Sequence, residues 1–173
     1  SGCTGTSIPV AVTVNALPAT NITASATALC PGATATLSVP TAATYLWSNG
    51  AITPSIATST PGTYSVTVTN ANGCSATSAP VTLTAATTPT VTVTPNGPVS
   101  FCTGANVVLN SNASAGSTFL WSNGATTQNI TASASGVYFV TVTNAAGCQT
   151  MSNNIVVNAQ QTFTASATAL SPT

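Results

Sequence analysis

The sequence predicts an all-β protein built from tandem β-sandwich domains, and three observations lead to this fold class. The first is composition: the chain of 173 residues is 43% hydrophobic with a mean hydropathy of +0.41, unlike the polar, highly charged composition of disordered chains. The second is the alternation of apolar and hydroxyl residues in short runs, which is typical of strands with one buried face. Turn residues, 12 Gly and 11 Pro, punctuate the sequence.

The third observation is an internal repeat. The hexapeptide Leu46–Ala51 returns as Leu120–Ala125, and the pentapeptide Val66–Asn70 returns as Val140–Asn144, both shifted by 74 positions (46 to 120 and 66 to 140). A constant shift of separate motifs indicates a duplicated domain from a longer tandem array. The predicted bounds are 1–16 for the last strand of a preceding repeat, 17–86 and 87–159 for two complete repeats, and 160–173 for the first strand of a following repeat.

Each repeat is predicted to contain about seven short strands in antiparallel order. In one of them Tyr64, Val66 and Val68 alternate with Ser or Thr, so that apolar side chains face one side and hydroxyls the other. Two layers of such strands bury their apolar faces against each other as a β-sandwich. The strands predicted for the first repeat are 21–28, 33–39, 43–48, 55–58, 62–70 and 74–84, with a short extra strand near 50–53.

Glycine-bearing turns separate the predicted strands. Asn-Gly pairs such as Asn49-Gly50 and Asn72-Gly73 are the strongest short hairpin signals. The predicted turn glycines are Gly32, Gly50, Gly62 and Gly73 in the first repeat and Gly104, Gly124, Gly136 and Gly147 in the second.

The chain contains no Lys, Arg, Asp, Glu or His, which excludes several functions. General acid–base catalysis needs such side chains, and a Ser or Cys nucleophile needs one of them as its activating base, so we predict that the protein is not an enzyme. Metal sites lack their carboxylate and imidazole ligands, and nucleic acids and anionic membranes lack a basic partner. No apolar run is long enough to cross a bilayer. We expect no cofactor, no metal, no nucleic acid and no membrane insertion.

The cysteines occupy matched places in the two repeats and predict an oxidising location. Cys30 and Cys74 of the first repeat correspond to Cys102 and Cys148 of the second. The simplest pairing is Cys30–Cys74 and Cys102–Cys148, and each such bridge would stabilise its domain by roughly 4 kcal/mol. Cys3 is left over, and its partner is expected upstream. Disulfides at this density indicate an extracellular or cell-surface protein.

These motifs resemble the immunoglobulin-like, PKD-like tandem repeats of very large secreted surface proteins of Bacteroidetes-type bacteria, including gliding adhesins and other type IX secretion cargo. The shared pattern is a Cys-x-Gly turn, a Trp-Ser-x-Gly strand, and Gly-x-Tyr-x-Val-Thr-Val-Thr followed by Gly-Cys. The resemblance covers nearly the whole chain and implies an immunoglobulin-like sandwich used as a stalk, spacer or adhesin. The residues that carry it are Cys30, Gly32, Trp47, Ser48, Gly50, Gly62, Tyr64, Val66, Gly73 and Cys74, and then Cys102, Gly104, Trp121, Ser122, Gly124, Gly136, Tyr138, Val140, Gly147 and Cys148.

The aromatic residues of the motif have a structural and a functional interpretation. Trp47 and Trp121 could stack on a ligand, but a Trp on the third strand of such a sandwich is normally buried in the core. Tyr64 and Tyr138 each follow a glycine at the start of a strand and are expected to donate a tyrosine-corner hydrogen bond. We therefore assign all four aromatic residues to the core.

Two functions remain open. The first is a structural repeat of an extracellular stalk or filament, whose partners are neighbouring repeats of the same chain and other copies in a fibre. The second is a ligand-binding adhesin module that recognises a glycan, ice or another surface. The lack of charge favours the first, because uncharged surfaces associate without electrostatic repulsion and edge strands without Lys or Glu are open to pairing.

Overall fold

A computed structural model describes residues 1–161, and all of its regular secondary structure is β. The chain forms two compact units, the first ending at Ala85 and the second beginning at Ala86. The predicted strand within 160–173 lies almost wholly outside the described residues.

The first unit contains nine strands, which form three sheets of three strands each. Two sheets are antiparallel, with the orders β1-β3-β5 and β4-β7-β8, and the third has the order β2-β9-β6. In the third sheet β2 pairs with β9 in parallel, and β6 pairs with β9 antiparallel. The strands are β1 (Thr23–Ala24), β2 (Ala28–Leu29), β3 (Ala35–Ser38), β4 (Thr44–Trp47), β5 (Ser55–Thr58), β6 (Gly62–Tyr64), β7 (Val66–Thr69), β8 (Ser75–Thr77) and β9 (Val81–Ala85).

Two long strands of the first unit each pass from one sheet to another. β6 and β7 are separated only by Ser65, and β8 and β9 only by residues 78–80. At the second crossing the backbone N–H of Ser78 donates to the Val66 carbonyl at 2.9 Å, and the Ser78 hydroxyl accepts from the Val66 N–H at 3.1 Å. Since Ser78 is only 7% exposed, its hydroxyl satisfies a backbone amide that the interruption of the ladder would otherwise leave buried and unpaired.

The core of the first unit follows from the alternation in the sequence. The inward positions of β3, β4, β5 and β7 are apolar and buried, and their neighbours in sequence carry mostly hydroxyl groups outward. The buried residues of this core are Leu29, Ala35, Leu37, Val39, Trp47, Ile56, Tyr64, Val66, Val68 and Leu83.

The second unit repeats this arrangement. Its sheets have the orders β10-β12-β14, β13-β16-β17 and β11-β18-β15, and β11 pairs with β18 in parallel. The strands are β10 (Val93–Pro95), β11 (Ser100–Cys102), β12 (Val107–Ser111), β13 (Thr118–Trp121), β14 (Asn129–Ala132), β15 (Gly136–Tyr138), β16 (Val140–Thr143), β17 (Gln149–Met151) and β18 (Ile155–Gln160). Two layers of antiparallel strands around one apolar core, with the first strand of each unit divided between them, make each unit an immunoglobulin-like β-sandwich. The predicted fold class is confirmed.

Several predicted strand bounds are wrong. The strand expected over 21–28 is two short strands in different sheets, and those expected over 62–70 and 74–84 are each divided where they change sheet. There is no strand at 50–53. The segment forms a turn in which the N–H of Trp47 donates a hydrogen bond to the Ala51 carbonyl at 2.8 Å. Alternation does not reveal such crossings, because the inward-outward period can continue on both sides of an interruption.

Two of the eight predicted turn glycines lie in strands. Gly62 is the first residue of β6 and Gly136 the first residue of β15, both beside the ring of the tyrosine two residues later. A Cβ at Gly136 would lie 3.5 Å from Cε2 of Tyr138, so the glycine leaves room for the ring. The other six adopt positive φ angles in turns: Gly32, Gly50, Gly73, Gly104, Gly124 and Gly147.

Candidate functional site: the two ends of each repeat

The tryptophans lie inside the sandwich and present no ring face to a ligand. Trp47 and Trp121 are each 2% exposed. Their indole N–H groups donate to the carbonyls of Thr53 and Thr127, both at 2.8 Å. Since each ring is enclosed and its only donor is satisfied by the loop that follows the strand, these residues stabilise the fold.

The tyrosines also serve the fold. Tyr64 and Tyr138 are 8% and 9% exposed. Their hydroxyl groups donate to backbone carbonyls four residues upstream, Tyr64 to Thr60 at 2.9 Å and Tyr138 to Ala134 at 3.1 Å. This is the local geometry of a tyrosine corner, which fixes the loop that leads into the strand.

One end of the first unit is organised around Asn70. Its Oδ1 accepts hydrogen bonds from the backbone N–H groups of Asn72 and Cys74, both at 3.0 Å, and its Nδ2 donates to the Ala16 carbonyl at 2.8 Å. The turn needs a residue with positive φ, and Gly73 supplies it with φ of 81°. One side chain thus shapes the turn between β7 and β8 and ties the incoming segment to it; we call this the turn end.

The second unit has the same arrangement around Asn144. Its Oδ1 accepts from the N–H groups of Ala146 at 3.1 Å and Cys148 at 3.0 Å, and its Nδ2 donates to the Thr87 carbonyl at 2.8 Å. Sequence reasoning did not single out the two asparagines. The available signal was their place as the last residue of the repeated Val-Thr-Val-Thr-Asn motif, four residues before a cysteine.

The opposite end of each unit is where its last strand leaves the sandwich, and we call it the exit end. The parallel register pairs Leu29 with Ala85, which places Cys30 beside the end of β9. In the second unit, Cys102 is itself paired with Gln160 at the end of β18. Each unit therefore carries one cysteine at its turn end and one at its exit end.

The predicted intradomain disulfides Cys30–Cys74 and Cys102–Cys148 are wrong. Cys30 and Cys148 are disulfide-bonded, whereas Cys74 and Cys102 are free thiols, as is Cys3. The reason lies in the topology, because β6–β7 and β8–β9 form one long hairpin with Cys74 at its turn and Cys30 at its open end. At ~3.3 Å per residue the ten or so residues between these ends span roughly 30 Å, and a disulfide needs Cα atoms within about 7 Å. Matched positions in two repeats carried no information about this distance.

Some outward hydroxyls of the first unit bond to one another across strands. Thr67 and Thr77 have their Oγ1 atoms 3.0 Å apart, and Thr69 Oγ1 lies 2.8 Å from Ser75 Oγ. These pairs satisfy part of the hydrogen-bonding capacity of the sheet surface, which leaves fewer hydroxyls for a ligand. Among the described residues no buried side-chain nitrogen or oxygen lacks a partner.

A shallow cleft lies at the turn end of the second unit. It has a volume of about 460 Å³ and is lined by residues 87–90, 114–117 and 144–146. Its lining consists of Thr, Ser and Asn with small apolar residues, so it offers neutral hydrogen-bonding groups and no charge.

Within residues 1–161 no group of three or more potential metal ligands comes together. The same part of the chain has no helix that could span a membrane.

No protein-family model and no curated protein sequence matches the chain. It is similar in fold to several solved structures. One is the three N-terminal domains of the highly immunogenic outer capsid protein (Hoc) of bacteriophage RB49, with 19% identity, coverage of 81% of this chain and 58% of that chain, and a TM-score of 0.43. Others are the fibronectin(III)-like modules of Clostridium thermocellum CbhA, with 12% identity, coverage of 82% and 95%, and a TM-score of 0.49, and murine CEACAM1b, with 14% identity, coverage of 82% and 100%, and a TM-score of 0.42. At these identities the likeness concerns the fold alone.

Proposed function

We propose that this chain is a non-catalytic, extracellular structural repeat that carries load along a stalk or filament of a bacterial surface protein. On this proposal residues 17–86 and 87–159 are one repeat each, 1–16 is the last strand of a preceding repeat, and 160–173 is the first strand of a following one. The resemblance of the repeated motifs to gliding adhesins and other type IX secretion cargo supports this parent class. The two disulfide-bonded cysteines support an oxidising, extracellular location.

The observation that carries the proposal is the position of the two chain ends on the sandwich. The incoming segment of the first unit is bound at the turn end, where Asn70 holds the Ala16 carbonyl, and the chain leaves at the exit end after Ala85. The second unit has the same relation between Thr87 and Gln160. A domain whose chain enters at one end and leaves at the other transmits tension along its strands.

The parallel pairing of the first and last strands suits this role. When the chain is pulled at both ends, β2 and β9 are drawn past each other, because they run in the same direction and their free ends point oppositely. Hydrogen bonds between them, such as Thr84 N–H to the Thr27 carbonyl at 2.9 Å, lie across the pulling direction and are loaded together. Such a pair resists tension better than one that opens bond by bond.

Single-molecule pulling of the whole chain under reducing conditions tests the proposal. We expect two unfolding events, each releasing about 20 nm of chain at ~3.6 Å per residue. Thr84→Pro removes the amide that bonds Thr27 and should lower the force of one event while the other stays unchanged. Thr84→Ser keeps the amide and also the hydroxyl, which donates to the Thr27 carbonyl at 3.3 Å, and it should leave both forces nearly as they are. Equal forces for the proline variant and the original chain would refute load-bearing by this strand pair.

The alternative is a ligand-binding adhesin module, and the observation that favours it is the cleft lined by residues 87–90, 114–117 and 144–146. The neutral hydrogen-bonding groups that line it are suited to binding the hydroxyl groups of a glycan. Binding of an uncharged glycan that Ala115→Trp abolishes without changing the thermal stability would establish this function instead, since Ala115 lines the cleft and is exposed.

A further inference from the structure

Each unit presents one cysteine at each end, and one cysteine of each kind is already disulfide-bonded. Cys30 belongs to an exit end and Cys148 to a turn end, and both are bonded. Their counterparts are Cys102 at the exit end of the second unit and Cys74 at the turn end of the first, and both are free thiols. Both kinds of position are therefore able to form a disulfide in this fold.

The free cysteines are presented by the same backbone geometry as the bonded ones. The N–H of Cys74 donates to Asn70 Oδ1 at 3.0 Å, as the N–H of Cys148 does to Asn144 Oδ1. At the exit ends the Cys30 carbonyl accepts from Ala33 at 2.9 Å.

The Cys102 carbonyl likewise accepts from the N–H of Ala105 at 3.1 Å. Cys102 is exposed and Cys74 is partly exposed, so an oxidant and a partner thiol can reach both.

Neither Cys74 nor Cys102 can bond to the cysteine at the opposite end of its own unit, because the long hairpin separates the two ends by roughly 30 Å. We propose that Cys74 and Cys102 are end-to-end linkage sites: the turn-end cysteine of one molecule forms a disulfide with the exit-end cysteine of a second copy, which joins repeats covalently into a filament. This deepens the proposed stalk function and rests on it.

The linkage balances as a thiol–disulfide exchange. The two thiols lose two protons and two electrons as the sulfur–sulfur bond forms, and a small-molecule disulfide such as oxidised glutathione accepts them and leaves as two thiols. The uncharged surface makes such a bond useful, since no ion pair can hold or orient the ends of two neighbouring molecules.

The test uses the whole chain with Cys3→Ser, which removes the third free thiol, in a buffer of oxidised and reduced glutathione. We expect a ladder of covalent multimers on non-reducing gels that collapses to monomer with dithiothreitol. Adding Cys74→Ser or Cys102→Ser should leave each variant monomeric alone, whereas an equal mixture of the two should give a single heterodimer. Peptic peptide mapping should recover Cys74 linked to Cys102 in that dimer.

Three outcomes would overturn the proposal. They are homodimers of either double variant as abundant as the heterodimer, no heterodimer in the mixture, and a Cys74–Cys102 bond within one molecule. Thermal unfolding of each variant before oxidation checks that the serine substitutions leave the fold intact. The pulling experiment is performed with the free thiols reduced, so it does not depend on this linkage. Failure of the linkage and failure of the load-bearing function can therefore be told apart.

Discussion

At the scale of single residues, Asn70 and Asn144 organise the turn end of each unit. Each side chain replaces three bonds to water with three bonds to backbone groups at the turn end, two accepted and one donated. Such a residue holds together segments that are far apart in sequence, as Ala16 and Asn70 are. Local sequence patterns do not predict this kind of contact, because the fold determines which distant segment lies next to the asparagine.

We expect Asn70→Ala to destabilise the first unit by about 1–2 kcal/mol, because it leaves two N–H groups and one carbonyl without their partner at a partly solvated site. For a domain of this size that free energy corresponds to a fall of about 5–10 °C in its melting temperature. Circular dichroism of the whole chain should show the transition splitting, since the second unit retains Asn144. Asn72→Ala is the matched control, because only the backbone of Asn72 takes part in these bonds. An unchanged transition in the Asn70 variant would contradict this role.

At the scale of strands, the outward face of β7 and β16 is the surface through which copies would meet in the proposed filament. Thr67 is paired across the sheet with Thr77, and Thr141 with Met151. Beside them on the neighbouring strands lie the exposed Leu46 and Leu120, at 57% and 56%. A mixed apolar and hydroxyl face without charge has nothing that repels an identical face.

We expect Thr67→Lys together with Thr141→Lys to weaken lateral association while each unit stays folded, because both side chains point away from the core. Light scattering against protein concentration measures the association, and circular dichroism checks the fold. Replacement by Ser at the same positions is the neutral control and should associate like the original chain. If the lysine variant associates at the same protein concentration as the original chain, surfaces other than this face form the contact.

The sequence predicted some elements well and others poorly for a physical reason. Strands β4 and β5, predicted over 43–48 and 55–58, lie within one residue of their predicted bounds. The crossings at Ser65 and Ser78 were not predicted, because a change of sheet depends on which partner strand is nearby. The disulfide pairing failed for the same reason: the parallel pairing of β2 and β9, which separates Cys30 from Cys74, is a contact between the two ends of the repeat.

At the scale of the whole molecule, the lack of Lys, Arg, Asp, Glu and His makes stability independent of pH over a wide window. None of the side-chain types in this chain changes protonation between about pH 4.5 and 7. The folded and unfolded states therefore bind the same number of protons there, and the slope of the unfolding free energy against pH is zero. Calorimetry at pH 4.5, 5.5 and 6.5 should give melting temperatures within about 2 °C of each other. A trend larger than this would contradict the argument.

Salt should have as little effect as pH on any assembly the chain forms, because screening acts only on charges. The expected result is that raising sodium chloride from low to high concentration leaves the scattering of assembled material unchanged. Dissolution on adding salt would refute assembly through neutral contacts.

The crossing strands also determine how each repeat comes apart. Because β6–β7 and β8–β9 belong to two sheets at once, neither sheet can open while the other keeps its full set of backbone pairs. Partial opening would also uncover Val66 and its buried bonds to Ser78 at the crossing. We therefore expect each sandwich to open as a single cooperative unit, so that in native-state hydrogen exchange the amides of β7 and β9 become exchangeable in the same event.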